Sequence, residues 1–434
     1  MPQGNGFNPF VLIKRAGLGI PALRSKKFRL YILGQAIWIP GAWMFISAHK
    51  WLANLIIQQP QTVSGSPMLS SAEALGILTF FASLPYLVLS PFATSIADCY
   101  DRRKIVMIFQ SIRALTHLVM ALLIVTNTVS FANIVILATI EGAATAMQFP
   151  AKLTLLMDLV GPEKMVSAAG FSSTVMNIGR IVGTIVAGLI LNFNPALVFV
   201  ISFSLSLPFV FILSILRTDQ VCVKRSGSIL GQYGESAKYV FKQEKPMLVL
   251  AIISTAAILG YGVQMLMPYI AKDILHLDSI GYGFVEASVG AGAFIGAILL
   301  SFKAGFGKPV KIFSLTAVAL PIVGLLITLA IITGWLPIIM LCFAMFGFTI
   351  THQNSLGRSI LPVLVHRHFA GRMMGFFSLS MMGLKPIGNL LVGFLVSIFT
   401  LPTAFIALYG TLLASGIYPA TKLFMSAKEK DLDF

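Results

Sequence analysis

The chain has 434 residues, 57% of them apolar or aromatic and only 11% charged, where a soluble domain carries about 25% charged residues. Its 31 Lys+Arg against 15 Asp+Glu leave a formal charge of +16, which would suggest a nucleic-acid partner were the chain not too apolar to stay in water. A soluble enzyme, a secreted domain, a nucleic-acid binder and a disordered chain are excluded together. The hydrocarbon core of a bilayer is ~30 Å thick and takes about 20 mostly apolar residues to cross as a helix. After a basic arm at residues 1–28, such spans are predicted at 30–57, 73–97, 105–125, 131–152, 166–191 and 196–216, and then at 247–275, 282–302, 310–333, 336–357, 371–398 and 402–424.

The longest polar stretch separates the sixth span from the seventh. This divides the chain into the arm (1–28), an N-terminal half (29–217), a central linker (218–245), a C-terminal half (246–424) and a tail (425–434). The expected fold class is an all-α integral membrane protein, with twelve transmembrane helices in two pseudo-symmetric six-helix halves. The arm leads into an apolar run too long for a cleavable signal and shows no small-residue cleavage site. Cys99, Cys222 and Cys342 have neither metal-ligand spacing nor a disulfide framework. His366 and His368 flank Arg367, whose charge opposes a metal cation. With no nucleophile elbow, zinc signature or phosphate loop, no enzyme activity, cofactor or metal centre is expected.

Basic residues orient the chain, because Lys and Arg concentrate on the cytoplasmic side. With the termini in the cytoplasm, all but five of the 31 basic residues fall in cytoplasmic segments or adjoining helix ends. Lys152 and Lys164 are counted among them. The exceptions are Lys50, Arg113, Arg180, Lys272 and Lys385. A multi-pass protein of the bacterial inner membrane, with both termini cytoplasmic, is the expected location.

A shift of 205 residues lays MNIGRIVGTIVAGLI (176–190) on MMGLKPIGNLLVGFL (381–395). Gly183 then falls on Gly388, Gly188 on Gly393, and Arg180 on Lys385. Parallel six-helix repeats related by an axis along the membrane normal are one transporter architecture, with the substrate site near the midplane between the halves. Glycines at 179, 183, 188, 388 and 393 are at the spacing that lets helices approach closely.

Charge inside a span is costly and normally faces protein or a water-filled cavity. At 1.5 Å per residue, Arg180 and Lys385 lie ~21 Å from the cytoplasmic ends of their helices, Arg113 ~13 Å in, and Glu141 ~15 Å from the outer end of its own. Arg180 and Glu141 are expected to pair, Lys385 has no obvious acidic partner, and Arg113 is within reach of the surface. Lys50 and Glu286 are read as solvated residues near the outer mouth. His49, His117 and His352 lie in spans and are read as packing or hydrogen-bonding groups.

The loop ATSIADCYDRRKIV (93–106) resembles the signature loop of the major facilitator superfamily: Asp98 takes its acidic position, and Arg102 and Arg103 its basic pair. It departs from the pattern with Ser95 or a neighbour in place of glycine, Cys99 for the first basic residue and Asp101 where glycine is commonest. The fifth span is similar to the family's antiporter motif through Gly170, Gly179, Gly183 and Gly188, with Thr184 in place of its proline. FPAKLTLLMDLVGPEKMVSAAGFSS, LMPYIAKDILHLDSIGYGF and HRHFAGRMMGFFSL resemble the enterobactin-exporter and transmembrane-secretion-effector branch. The PAK sequence in the fourth span is also similar to lysophospholipid transporters.

The resemblance implies a secondary transporter. Asp98, Asp101, Arg102 and Arg103 would form a gating latch, and Asp98 and Glu141 would take part in proton coupling. Substrate contacts are expected at Lys385, Arg180, Glu141 and Arg113, whose excess of positive charge suits an anionic or oxygen-rich cargo such as a siderophore. The expected partners are that small molecule, protons and membrane lipids, with no nucleic acid, and the protein is expected to be monomeric. A lipid flippase of the same fold, and a non-transporting sensor or assembly factor built on it, are the alternatives.

Overall fold

The structure, a computed structural model, describes residues 21–58, 69–216, 243–302, 309–365 and 370–426. The linker apart from its last residues, the tail beyond residue 426, His366, Arg367 and His368 lie outside them. Among the described residues, twelve helices are long and apolar enough to cross a membrane. In the first half they are α1 (Lys26–Ile57), α2 (Ser71–Cys99), α3 (Arg102–Val125), α4 (Phe131–Val160), α5 (Met165–Leu191) and α6 (Pro195–Ile215). In the second they are α7 (Glu244–Ile274), α8 (Ser279–Phe302), α9 (Pro309–Thr333), α10 (Leu336–Ile360), α11 (Met373–Ile398) and α12 (Leu401–Ser426).

Local chemistry sets the helix starts. The first four N–H groups of a helix lack partners within it, and a side-chain oxygen placed just before them supplies one. Ser25, Asp101, Ser130 and Asn194 do so for α1, α3, α4 and α6. Ser70 and Glu73 form a reciprocal capping box on α2: Glu73 N–H donates to Ser70 Oγ at 3.2 Å and Ser70 N–H to Glu73 Oε2 at 2.9 Å.

Two spans that read as uniform are broken. In α7, helix gives way to a π-turn at Ala256–Gly260 and a tighter turn at Tyr261–Gln264. In α11, a π-turn at Leu379–Gly383 precedes a fresh α-helical start at Lys385. Gly260, Gly262, Gly383 and Pro386 are the local signals for these breaks. They put Gln264 and Lys385 at the inner wall of the molecule. The expected end of the fourth span at 152 is corrected as well. Helix α4 continues past Pro150 to Val160, so Lys152 is not a loop charge: its ammonium sits 4.3 Å from the centre of the Trp38 ring.

Consecutive helices run in opposite directions, so α1 starts and α12 ends on one side, the terminal side. Between the halves, α2 packs on α11 and α5 on α8. Gly188 of α5 meets Gly283 of α8, and Gly393 of α11 meets Gly76 of α2; a Cβ on Gly188 would come within 2.5 Å of Ser279 O, and one on Gly393 within 2.8 Å of Ala72 O. Gly142 against Ala82 O and Gly347 against Val289 O repeat the same relation between α4 and α2 and between α10 and α8. The internal repeat therefore extends to how the helices touch. Gly179 and Gly183 admit Ile39 and Pro40 of α1, Gly388 admits Ile258 of α7, and Gly170 faces open space.

The apolar cores show which end is closed. One core joins both halves on the distal side, drawing Leu52 from α1, Leu75 from α2, Leu191 from α5, Met267 from α7, Tyr282 from α8 and Val396 from α11. Toward the terminal side two separate cores replace it. One belongs to the first half (Tyr31, Ile105, Leu155, Phe209) and the other to the second (Val249, Phe313, Ile360, Phe377). The halves are therefore sealed distally and parted toward the terminal side.

Candidate functional site

Where the halves part, they enclose a cavity of about 320 Å³, within the size range of small-molecule sites. Residues from α1, α2, α3, α4, α5, α7, α8 and α11 line it. Lys385, Arg180, Glu141 and Arg113, the four interior residues singled out from the sequence, all lie in this wall, together with Lys50 and Glu286.

Their pairing differs from expectation. Glu141 is held by Arg113, not by Arg180: Arg113 Nε donates to Glu141 Oε1 at 2.6 Å, and a guanidinium Nη reaches the same oxygen. Both residues are buried, with Thr116 Oγ1 at 3.4 Å and His117 Nε2 at 3.9 Å from Oε2. The reason is the face of α3. Gln110, Arg113 and His117, spaced three and four apart, point together into the first half, where Trp38 lies 4.9 Å from the Arg113 guanidinium. Arg113 therefore does not reach for the surface.

Lys50 and Glu286 are also corrected, from solvated mouth residues to a buried ion pair. Lys50 Nζ donates to Glu286 Oε1 at 2.6 Å, and Ser47 Oγ donates to Oε2 at 2.8 Å. Exposures of 9% for Lys50 and 2% for Glu286 exclude a solvated reading. The pair joins α1 of one half to α8 of the other. Distal to it, Trp51 stacks on Tyr282 at 5.1 Å, and Asn54 Nδ2 donates to Asp273 at 3.0 Å.

With both carboxylates engaged, two cations of the wall are left over. Arg180 lies 4.5 Å over the Trp43 ring, and its Nε is buried without a hydrogen-bond partner. Lys385 has no ion pair or hydrogen bond among the described residues. The wall carries Lys50, Arg113, Arg180 and Lys385 against Glu141 and Glu286.

At the terminal end, Asp101 caps α3 by accepting from Arg103 N–H at 3.0 Å. Arg102 Nη1 donates to both oxygens of Asp158 at 2.7 and 2.8 Å, and Arg103 donates to Leu216 O at 2.6 Å. These contacts fasten α3 to α4 and α6 inside the first half. The side chain of Asp98 lies outside the described residues. His49 bonds Ile134 O through Nε2 at 2.8 Å, and His352 bonds Phe348 O through Nδ1 at 3.0 Å. Asp158, Ser47, Asp273 and the orphaned buried amides of Gln110 and Gln148 escaped sequence reasoning. Asp158 lies beyond the expected end of its span and Asp273 close to the end of its own, where a carboxylate reads as a surface group, and Ser47, Gln110 and Gln148 are uncharged polar residues within apolar runs.

The transmembrane secretion effector family matches residues 20–433 of this chain. Macrolide efflux protein A of Streptococcus pyogenes is 23% identical over 82% of this chain and 87% of its own length. The staphyloferrin A transporter of Staphylococcus aureus is 22% identical over 77% and 84%. Among solved structures, the nucleoside transporter NupG superposes with a TM-score of 0.65 at 13% identity, covering 92% of this chain and 100% of its own. The human organic anion transporter MFSD10 gives 0.66 at 14%, covering 91% and 98%. At these identities the two structures speak for the fold alone. Twelve apolar helices in two repeated halves, a wall of charges between them and a family match over nearly the whole length lead to one assignment: this chain is an integral, multi-pass membrane transporter of the major facilitator superfamily and belongs to its transmembrane secretion effector family.

Proposed function

We propose that the protein exports a small organic molecule across the bacterial cytoplasmic membrane by alternating access, with its termini in the cytoplasm and its cargo bound through anionic or oxygen-rich groups. The observation that carries this reading is the uncompensated pair of cations, Arg180 and Lys385, on the wall of a cavity sealed distally. Such charge is expensive at membrane depth and is kept where a ligand or an ion pathway uses it. A relative named for macrolide efflux and another named a staphyloferrin A transporter support a secreted organic cargo. The membrane potential adds to the case, because an anion leaving a cell at 100 mV, inside negative, gains ~2.3 kcal/mol per charge.

Comparing metabolites secreted by cells with and without the protein tests the reading. An anionic compound should disappear from the medium of cells lacking it and build up inside them. Identical profiles, iron chelators included, would end the export reading. Once that compound is known, Lys385→Ala should weaken its binding roughly 10- to 100-fold, the worth of a hydrogen bond to a charged group. Unchanged affinity in the variant would remove the anion site.

Protons are the proposed coupling ion, with Glu141 as the group that takes them up and Asp98 assisting at the mouth. Glu141→Gln keeps an oxygen to accept from Arg113 but cannot ionise. Its transport is expected to lose the dependence on the pH gradient while binding persists. A variant that still follows the gradient as the wild type does would exclude Glu141 from coupling.

A further inference from the structure

Glu286 is a carboxylate whose both oxygens are spent on the opposite half of the molecule. Oε1 meets Lys50 Nζ at 2.6 Å and Oε2 meets Ser47 Oγ at 2.8 Å, both from α1. The Tyr282 hydroxyl of α8 donates to Ser47 O at 3.3 Å on the same seam. The Arg113–Glu141 pair lies within one half, so a rigid movement of one half against the other leaves it intact. The Lys50–Glu286 pair has no such freedom and must break whenever the distal side opens. A buried pair broken without replacement leaves two uncompensated charges.

Lys50 and Glu286 both line the cavity, as do Arg180 and Lys385. Arg180 packs against α8 one turn from Glu286, where a Cβ on Gly290 would come 3.4 Å from its side chain. Four cations against two carboxylates leave two positive charges on the wall. We propose that Glu286 is a resident counter-ion of Lys50 which a compact dianionic cargo displaces, so that cargo binding itself releases the bolt between the halves. The cargo takes Lys50 and Lys385, the freed Glu286 carboxylate turns to Arg180, and the charges of the wall then balance. This inference rests on the anionic-cargo reading above. It adds a cargo class, two negative charges a few ångströms apart, and a reason for the distal side to open.

The test uses the full-length protein, with Cys99, Cys222 and Cys342 replaced by serine and spin labels at Thr128→Cys and Thr333→Cys, exposed distal positions in the two halves. Glutarate serves as the dianionic probe and butyrate as its single-charge control. Wild type should show a short distal distance that lengthens with glutarate and stays unchanged with butyrate. Glu286→Gln should show the long distance without any ligand and bind glutarate about tenfold more tightly, a coupling of ordinary size. A merely structural role for Glu286 gives the opposite sign, weaker binding or none.

The double variant Lys50→Met/Glu286→Met removes both charges and guards against misfolding of the single one. It should also open distally, yet bind glutarate more weakly than wild type. If glutarate binds wild type, but the Glu286 variants keep the short distance or bind no more tightly with Gln, displacement is overturned and the anionic cavity stands. If glutarate binds neither wild type nor Glu286→Gln, the anionic-cargo reading fails and displacement with it.

Discussion

Arg113→Met is expected to lower the stability of the folded protein by about 3–5 kcal/mol, the usual cost of leaving one member of a buried ion pair behind. Glu141 would retain only Thr116 Oγ1 at 3.4 Å and His117 at 3.9 Å as polar neighbours. At 8% exposure it has little water to replace the lost guanidinium. The double variant Arg113→Met/Glu141→Met should recover most of the loss, because a buried pair replaced by apolar groups of similar volume is often neutral or stabilising. Acid should also rescue the single variant, since a protonated carboxyl needs no counter-charge, and the double variant should lack that response. Thermal unfolding of the three proteins in detergent across pH 5–8 measures all of this. A double variant as unstable as the single one would show that Arg113 matters for its packing over Trp38 and not for its charge.

Gly188→Val is expected to abolish transport by a different route. A Cβ at this position meets Ser279 O at 2.5 Å and Gly283 Cα at 3.0 Å, and neither backbone atom can swing aside as a side-chain tip would. Overpacking of this kind costs roughly 1–3 kcal/mol or more. The penalty falls on the distally sealed arrangement, where α5 and α8 touch at Gly188. A bias of that size shifts the balance of two conformations about 5- to 150-fold, toward the distally open state. Labelling of a single cysteine on the distal seam should accelerate accordingly while the amount of folded protein stays close to normal. Gly170→Ala, in the same helix with nothing within 4 Å, should change neither. Equal effects at the two positions would mean that the seam plays no part in sealing.

Both predictions turn on contacts invisible along the chain, although their participants were not. Arg113, Glu141, Arg180 and Lys385 stand out in the sequence because each is an ionisable group deep in an apolar run, and the cost of burying charge makes such groups rare. All four reach the cavity wall. Their partnerships were not readable, because depth along a helix does not say which way a side chain faces. Arg180 and Glu141 share a level, yet Glu141 of α4 turns to Arg113 of α3 while Arg180 of α5 turns to the Trp43 ring. Lys50 and Glu286 look like mouth residues for a related reason. Nearness to a helix end means water only if that end is open, and here the distal end is covered by Tyr282, Trp51 and the core around them.

The number of spans, the division into halves and the internal repeat are legible along the chain, because they are written in local runs of about 20 apolar residues, in one long polar linker and in a pattern that recurs 205 residues on. The sequence also marked the glycines of the seam, since close helix approach demands small residues at regular spacing. Only the tertiary structure decided the breaks in α7 and α11, the exchange of Glu141 from Arg180 to Arg113, and the buried bolt between Lys50 and Glu286. Those partners lie 28 and 236 residues apart, and a contact across such distances follows from how helices rotate and pack, which no local pattern encodes.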